Sequence, residues 1–185
     1  LAALCGTDPL RLMERFLEDL RSAGYAGILN WPSVGLIDGT FRAGLEAANL
    51  GYDREVQAVR TAAGSGLLAA ACVFSPDQAG AMAQAGAEVL VVHPGLGARS
   101  REEIHRRVRD IAHAAREARA GAIVLAHAGP LRAMNDFEAL WTEAAELDGF
   151  FGGGLFGKEG RPRLEEVALL KRPPGRRPLA AAREV

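Results

Sequence analysis

Two hydrophobic rhythms alternate along this chain. Short unbroken apolar runs recur at Leu1–Cys5, Ala26–Leu29, Leu67–Phe74, Val89–His93, Ala122–His127 and Gly149–Gly152. Small and branched residues in runs of this length predict strands packed inside a parallel sheet. Between them, apolar residues fall at helical spacing. Leu12, Met13, Phe16, Leu17 and Leu20 form one such face, stopped by Gly24, with Thr7 or Asp8 as cap and Pro9 at the first position. A short amphipathic piece spans Phe41 to Asn49, and a helix runs from about Asp53 to Ala63. Ser75, Pro76 and Gln78 start a helix that ends at Gly86. Ser100 and Glu103 form a capping box for the longest helix, whose apolar face is Ile104, Val108, Ile111, Ala112 and Ala115. Asn135 is the expected cap of a helix facing inward through Phe137, Leu140, Trp141 and Ala144, and a weak helix is expected over Arg163–Leu170.

Six strands alternating with helices predict parallel pairing through right-handed crossovers, hence an α/β fold. Periodicity alone does not separate an open doubly wound sheet from a closed (β/α)8 barrel. Two features favour the barrel: no run is patterned like an edge strand, and Gly, Pro or a polar residue follows nearly every strand.

Composition narrows the setting. The 185 residues carry a formal net charge of −1 and are 49% apolar, which gives no ground for expecting nucleic acid or a membrane surface as partner. Cys5 and Cys72 lie in apolar runs without a C-x-x-C pair, so buried thiols in a reducing, cytoplasmic compartment are expected. Residues 171–185 are basic and Ala-rich, and are expected to form a disordered tail after a domain spanning 1–170.

The loop from Asn30 to Arg42 is long and mostly apolar, with Asp38 and Arg42 its two charges. That is the composition of a lid or binding loop. Asp38 and Arg42 stand one helical turn apart and admit two readings. They form an ion pair with Asp38 or Thr40 capping the next helix, or Arg42 grips a carboxylate or phosphate while Asp38 orients a water or hydroxyl. His93 and His127 each end an apolar strand, and are either acid–base groups or rings satisfied by neighbouring backbone. His105 and His113, on the charged helix, are expected in solvent. Asp8 is either a magnesium ligand or an N-cap. The run F-F-G-G-G-L-F-G-K, with Gly153 and Gly154, either cradles a phosphate or merely permits close packing.

The segment N-x-P-S-V-G-L-I-D-G-x-F-R from Asn30 resembles the signature of the phosphoenolpyruvate hydrolase-like family, also called the TIM-barrel signal-transduction family. G-T-D-P at Gly6, A-x-A-G-A-E near residues 83–88, H-x-G-L at His93 and H-x-G-P at His127 follow the same order, so the resemblance runs from Leu1 to about Glu159. It implies strands three to eight of an eight-stranded barrel, that is an incomplete TIM barrel, with two βα units upstream of Leu1. A barrel gathers every strand's carboxyl end at one mouth. There the resemblance implies His127, His93 and Asp38 as catalytic residues. Asn30, Arg42, Thr7, Gly129, Gly153 and Gly154 would bind a small anionic oxo or phospho acid, with Mg2+ optional at Asp8. Family members carry a small-Ser-Ser segment where this chain has Gly153 and Gly154. The alternative is a ligand-sensing or partner-binding barrel without turnover, and a homo-oligomer is expected in either case.

Overall fold

A computed structural model of the chain describes residues 1–97, 100–131, 133–152, 162–168 and 170. Its elements follow the expected order: β1 (Ala2–Ala3), α1 (Met13–Ser22), β2 (Gly27–Leu29), α2 (Gly39–Ala47), α3 (Tyr52–Gly64), β3 (Leu68–Val73), α4 (Pro76–Gln84), β4 (Val89–Val92), α5 (Arg101–Ala118), β5 (Ile123–His127), α6 (Met134–Glu143), β6 (Gly149–Phe151) and α7 (Leu164–Ala168). All strands pair in parallel, and their order across the sheet is their order in the chain.

That order resolves the ambiguity left by periodicity. A doubly wound sheet reverses direction at a switch point, whereas here each crossover advances one strand the same way, as in a barrel wall. Side-chain alternation agrees. Ile28, Ala69, Ala71, Val73, Leu90, Val92, Val124 and Ala126 join the helix-packed core. Between them, Ala70, Cys72 and Val91 are buried on the opposite face and lie outside that cluster. Helices cover one face only; the other is the inner face of a partial TIM barrel.

Two helix starts differ from expectation, and a third keeps its start but differs in its capping bonds. Asp8 does not cap α1. Its Oδ1 accepts from the Leu10 N–H and its Oδ2 from Arg11 Nε, closing a local turn that delays the helix to Met13. Leu12 therefore falls outside the helix and is 74% exposed, while Leu17 and Leu20 are buried as expected. α6 is capped two residues before Asn135, at Ala133; Asp136 Oδ2 accepts from the Ala133 N–H and fixes the turn. In α4, Ser75 Oγ accepts from Gln78 N–H as expected, but Gln78 Oε1 reaches one residue further back to the Phe74 N–H. The expected tail, 171–185, lies outside the described residues.

A buried ion pair ties the helix layer to the start of the last two strands. Asp148, just before β6, accepts from Arg116 Nη2 at 2.8 Å and from the Val124 N–H at 2.9 Å. Arg116 Nη1 and Nη2 also donate to the Ala122 and Glu146 carbonyls. Removing the carboxylate strands a buried backbone donor and a half-buried guanidinium. Asp148→Ala should therefore lower unfolding free energy by about 3 kcal/mol, measured by urea titration.

Candidate functional site at the strand ends

Register sets the site. Val73 pairs with Val92, Val92 with Ala126, and His127 with Phe151, so the next positions on β3 to β6 stand level. Phe74, His93, His127 and Phe151 consequently form a row of rings, with successive centroid separations of 5.5, 4.6 and 6.1 Å. By alternation, this row belongs to the inner face. Sequence reasoning named both histidines, and the structure brings them side by side.

Each imidazole is held the same way. The Gly95 N–H donates to His93 Nδ1 at 3.0 Å, and the Gly129 N–H to His127 Nδ1 at 3.1 Å. A backbone N–H only donates, so each neutral ring carries its proton on Nε2. Gly95 has φ of +82°, a conformation suited to glycine, and this gives the H-x-G spacing its physical meaning at His93. Burial, and then the neighbouring His127, push the His93 pKa down to about 4. His93 is therefore neutral near pH 7.

Beside His93 lies a cleft of about 550 Å³, lined by residues that include Gly95, Ser100, Arg101, His105, Gly129 and Asp136. It sits where the exits of β4 and β5 meet the first turns of α5 and α6. Arg101 spans it, with Nε 3.2 Å from Asp136 and Nη2 donating to the Asn135 carbonyl. His105, expected in solvent, is instead only 4% exposed. It lies three residues before Val108 and seven before Ala112, on the apolar stripe of α5, and that spacing was the signal for its burial. His113 is exposed, as expected.

The signature loop is built around a residue that sequence reasoning missed. Glu55, on the buried stripe of α3, has no exposed surface. Its carboxylate accepts from Asn30 Nδ2 at 2.6 Å, Ser33 Oγ at 2.8 Å and the Val34 N–H at 2.7 Å. Burial raises the Glu55 pKa, and those three donors, with Arg42 nearby, oppose the rise. Asn30 also accepts from the Cys72 N–H at 2.6 Å, and Tyr52 Oη donates to the Cys72 carbonyl. Asn30 thus faces the helix layer and fastens β2 to β3 and α3. Gly35 lies so close to Phe74 that an added Cβ would come within 2.2 Å of its ring, so the loop rests on the first ring of the row.

The remaining expected residues are more dispersed. Asp38 is exposed and makes no side-chain cap bond. The expected Asp38–Arg42 pair is replaced: Arg42 Nε meets Glu46 at 2.6 Å and Nη1 donates to the Val34 carbonyl at 2.8 Å. Two carboxylates flank Arg42 at helical spacing, and the loop's backbone pulls the guanidinium toward Glu46. Thr7 Oγ1 is 3.6 Å from Cys5 Sγ. Both oxygens of Asp8 are engaged by Leu10 and Arg11, and no group of three or more His, Cys, Asp or Glu among the described residues is placed to hold a metal. This setting does not suit a hard cation. Gly153 and Gly154 lie outside the described residues. No helix among the described residues is long and apolar enough to cross a membrane.

A profile of proteins described as phosphoenolpyruvate hydrolase-like matches residues 1–159. The chain belongs to that family. Two curated tomato (Solanum lycopersicum) proteins are similar to it: ToMV susceptible protein tm-1(GCR26), 42% identical, and ToMV resistance protein Tm-1(GCR237), 41% identical. Each match covers 82% of this chain but only 21% of the tomato protein. Among solved structures, a dihydrodipicolinate synthase family protein from Coccidioides immitis superposes with a TM-score of 0.60. At 18% identity, covering 93% of this chain and 54% of that one, it shows the barrel fold alone.

Two outcomes test the phosphoenolpyruvate hydrolase-like site as described. In Glu55→Gln an amide group must face one of the three donors, which should cost about 1–3 kcal/mol in a denaturant titration. The second concerns His93. Its folded pKa lies below the unfolded value, so its contribution is full above about 6.5 and is lost as pH falls toward 4. The loss should reach about 3 kcal/mol, and His93→Phe should flatten this part of the stability–pH curve.

Proposed function

We propose that this barrel acts on a small anionic oxo or phospho acid bound where His93 and His127 end their strands. The observation that carries the reading is the adjacency of the two rings, each locked with Nδ1 accepting from backbone. In that tautomer Nε2 is a donor, so the rings' first role is electrophilic. They hydrogen-bond to a carboxylate, carbonyl or enolate oxygen and stabilise negative charge as it develops. The depressed pKa of His93 suits this role: a neutral ring polarises an oxygen without first surrendering a proton to water. Gly95 and Gly129, which seat the rings, also line the adjoining cleft, which has room for a small acid. Arg101 supplies positive charge at its edge. Arg42 and Asp38 enter as contributors from the β2 loop, with Arg42 steering the anion and Asp38 orienting water.

A second reading is a barrel that binds such an acid without turning it over. The names of the two tomato relatives, which concern virus susceptibility and resistance, favour it.

The full chain, incubated with phosphoenolpyruvate or pyruvate, separates the two. Under the enzymatic reading phosphate is released from phosphoenolpyruvate, and His127→Asn or His93→Asn lowers kcat by about 10²-fold or more while the melting transition persists. Binding by calorimetry with no phosphate release selects the sensor. Turnover unaffected by both substitutions removes the histidines from the chemistry.

A further inference from the structure

His93 ends its strand at the mouth, yet it is only 6% exposed. Its ring is flanked on two sides. His127 stands at a centroid distance of 4.6 Å, and Phe74 at 5.5 Å with a tilt of 49°. Phe74 is the apolar part of that cover, and it is itself held by the signature loop. An ideal Cβ on Gly35 would overlap Cδ2 and Cε2 of the Phe74 ring, so no side chain fits between loop and ring. The φ of Gly35 is not positive, so this glycine serves space and not backbone conformation. The loop has little freedom there. The Gly35 N–H donates to Ser33 Oγ at 3.0 Å, Ser33 Oγ donates to Glu55 Oε2 at 2.8 Å, and the Val34 N–H reaches Glu55 Oε1 at 2.7 Å. A continuous series of contacts runs from the buried carboxylate through Gly35 and Phe74 to His93.

Covering an imidazole has a chemical effect. Imidazolium depends on water for its stability far more than the neutral ring does, so an apolar cover favours the neutral form. Burial is the larger cause that brings the His93 pKa down to about 4, and His127 adds to it. Among the described residues, the other charged or titratable groups around His93 are Arg101, His105 and Arg107 of α5 and Asp136 of α6. Arg101 pairs with Asp136 at 3.2 Å and Arg107 with Glu103 at 3.0 Å. Phe74 is the neighbour through which the signature loop reaches this setting.

We propose that Phe74 is a positioning residue for His93, and that the signature loop, seated by Glu55 and pressing through Gly35, keeps the imidazole dry and neutral. This goes beyond the reading of the mouth as a site for a small acid, and it holds whichever acid binds there. In this role the loop touches no ligand. It sets the protonation of a ring two strands away. If the loop lifts, Phe74 is freed, water reaches His93, and the ring can take up a proton closer to neutral pH. A neutral hydrogen-bond donor then becomes a charged acid.

NMR titration of the imidazoles in the full chain, with no ligand added, tests the proposal. In the unsubstituted protein His93 should titrate at about 4. In Phe74→Ala water enters beside the ring, and the titration should move to about 5.5 or above. Phe74→Leu, which keeps an apolar cover, should stay within about 0.5 of the starting value. Gly35→Ala forces loop and ring apart, and should raise the His93 value by about 1 although Phe74 is retained. Phe151→Ala opens the far end of the row, beside His127, and should leave His93 no higher. A merely structural Phe74 would change the melting temperature of these variants without moving the His93 titration. Gly35→Ala decides the matter where Phe74→Ala does not fold. A His93 that still titrates near 4 in Phe74→Ala or in Gly35→Ala overturns the proposal, as does an equal rise in Phe151→Ala. With no ligand present, each of these outcomes leaves the small-acid reading to its own binding test.

Discussion

In-register parallel pairing is the constraint on which the rest of this molecule depends. Because Val73, Val92 and Ala126 stand level, the residues that follow them leave the sheet at one height and on one face. The same pairing gives each strand end a turn in which backbone N–H groups are left over from the ladder. Two of those N–H groups, at Gly95 and Gly129, fix the tautomers of His93 and His127. Chemistry and fold therefore share hydrogen bonds: the turn that ends each strand also decides which nitrogen of its histidine carries the proton.

The opposite end of the sheet uses charge differently. Asp148 and Arg116 are saturated by one another and by main-chain groups, and they fasten α5 to β5 and β6. A carboxylate held so fully has no capacity for a ligand. Glu55 is an intermediate case, buried against the signature loop and met by three donors. Its raised pKa reflects burial rather than any exposure to substrate. These two carboxylates hold the barrel wall in shape, while a cleft opens beside α5.

The strands and most helices were legible because apolar spacing reports burial directly. Leu17, Ile111 and Leu140 all fall where periodicity puts them. The sequential strand order was not legible from periodicity, because a helix pattern does not say which strand its crossover reaches; the family resemblance supplied that. Glu55 and His105 were missed for a shared reason. Each is polar on an otherwise apolar stripe, Glu55 beside Val56 and Val59, His105 beside Val108 and Ala112. Placing His105 in solvent followed its chemistry and ignored its position, and Glu55 was passed over altogether. Local competition misplaced other details: Asp8 closes a turn before it can cap α1, and Arg42, between two carboxylates at helical spacing, pairs with Glu46.

The network around Glu55 bears on what the family's signature certifies. Asn30, Ser33 and Val34 spend their hydrogen bonds on one buried carboxylate, and Gly35 is needed for the loop to lie on Phe74. Those positions specify a loop shape, much as a keystone specifies an arch. The paired histidines and the cleft beside them lie on β4, β5 and α5, outside the motif. The signature thus fixes a framework between β2 and β3, while the strand-end histidines stand outside it and are left free to vary.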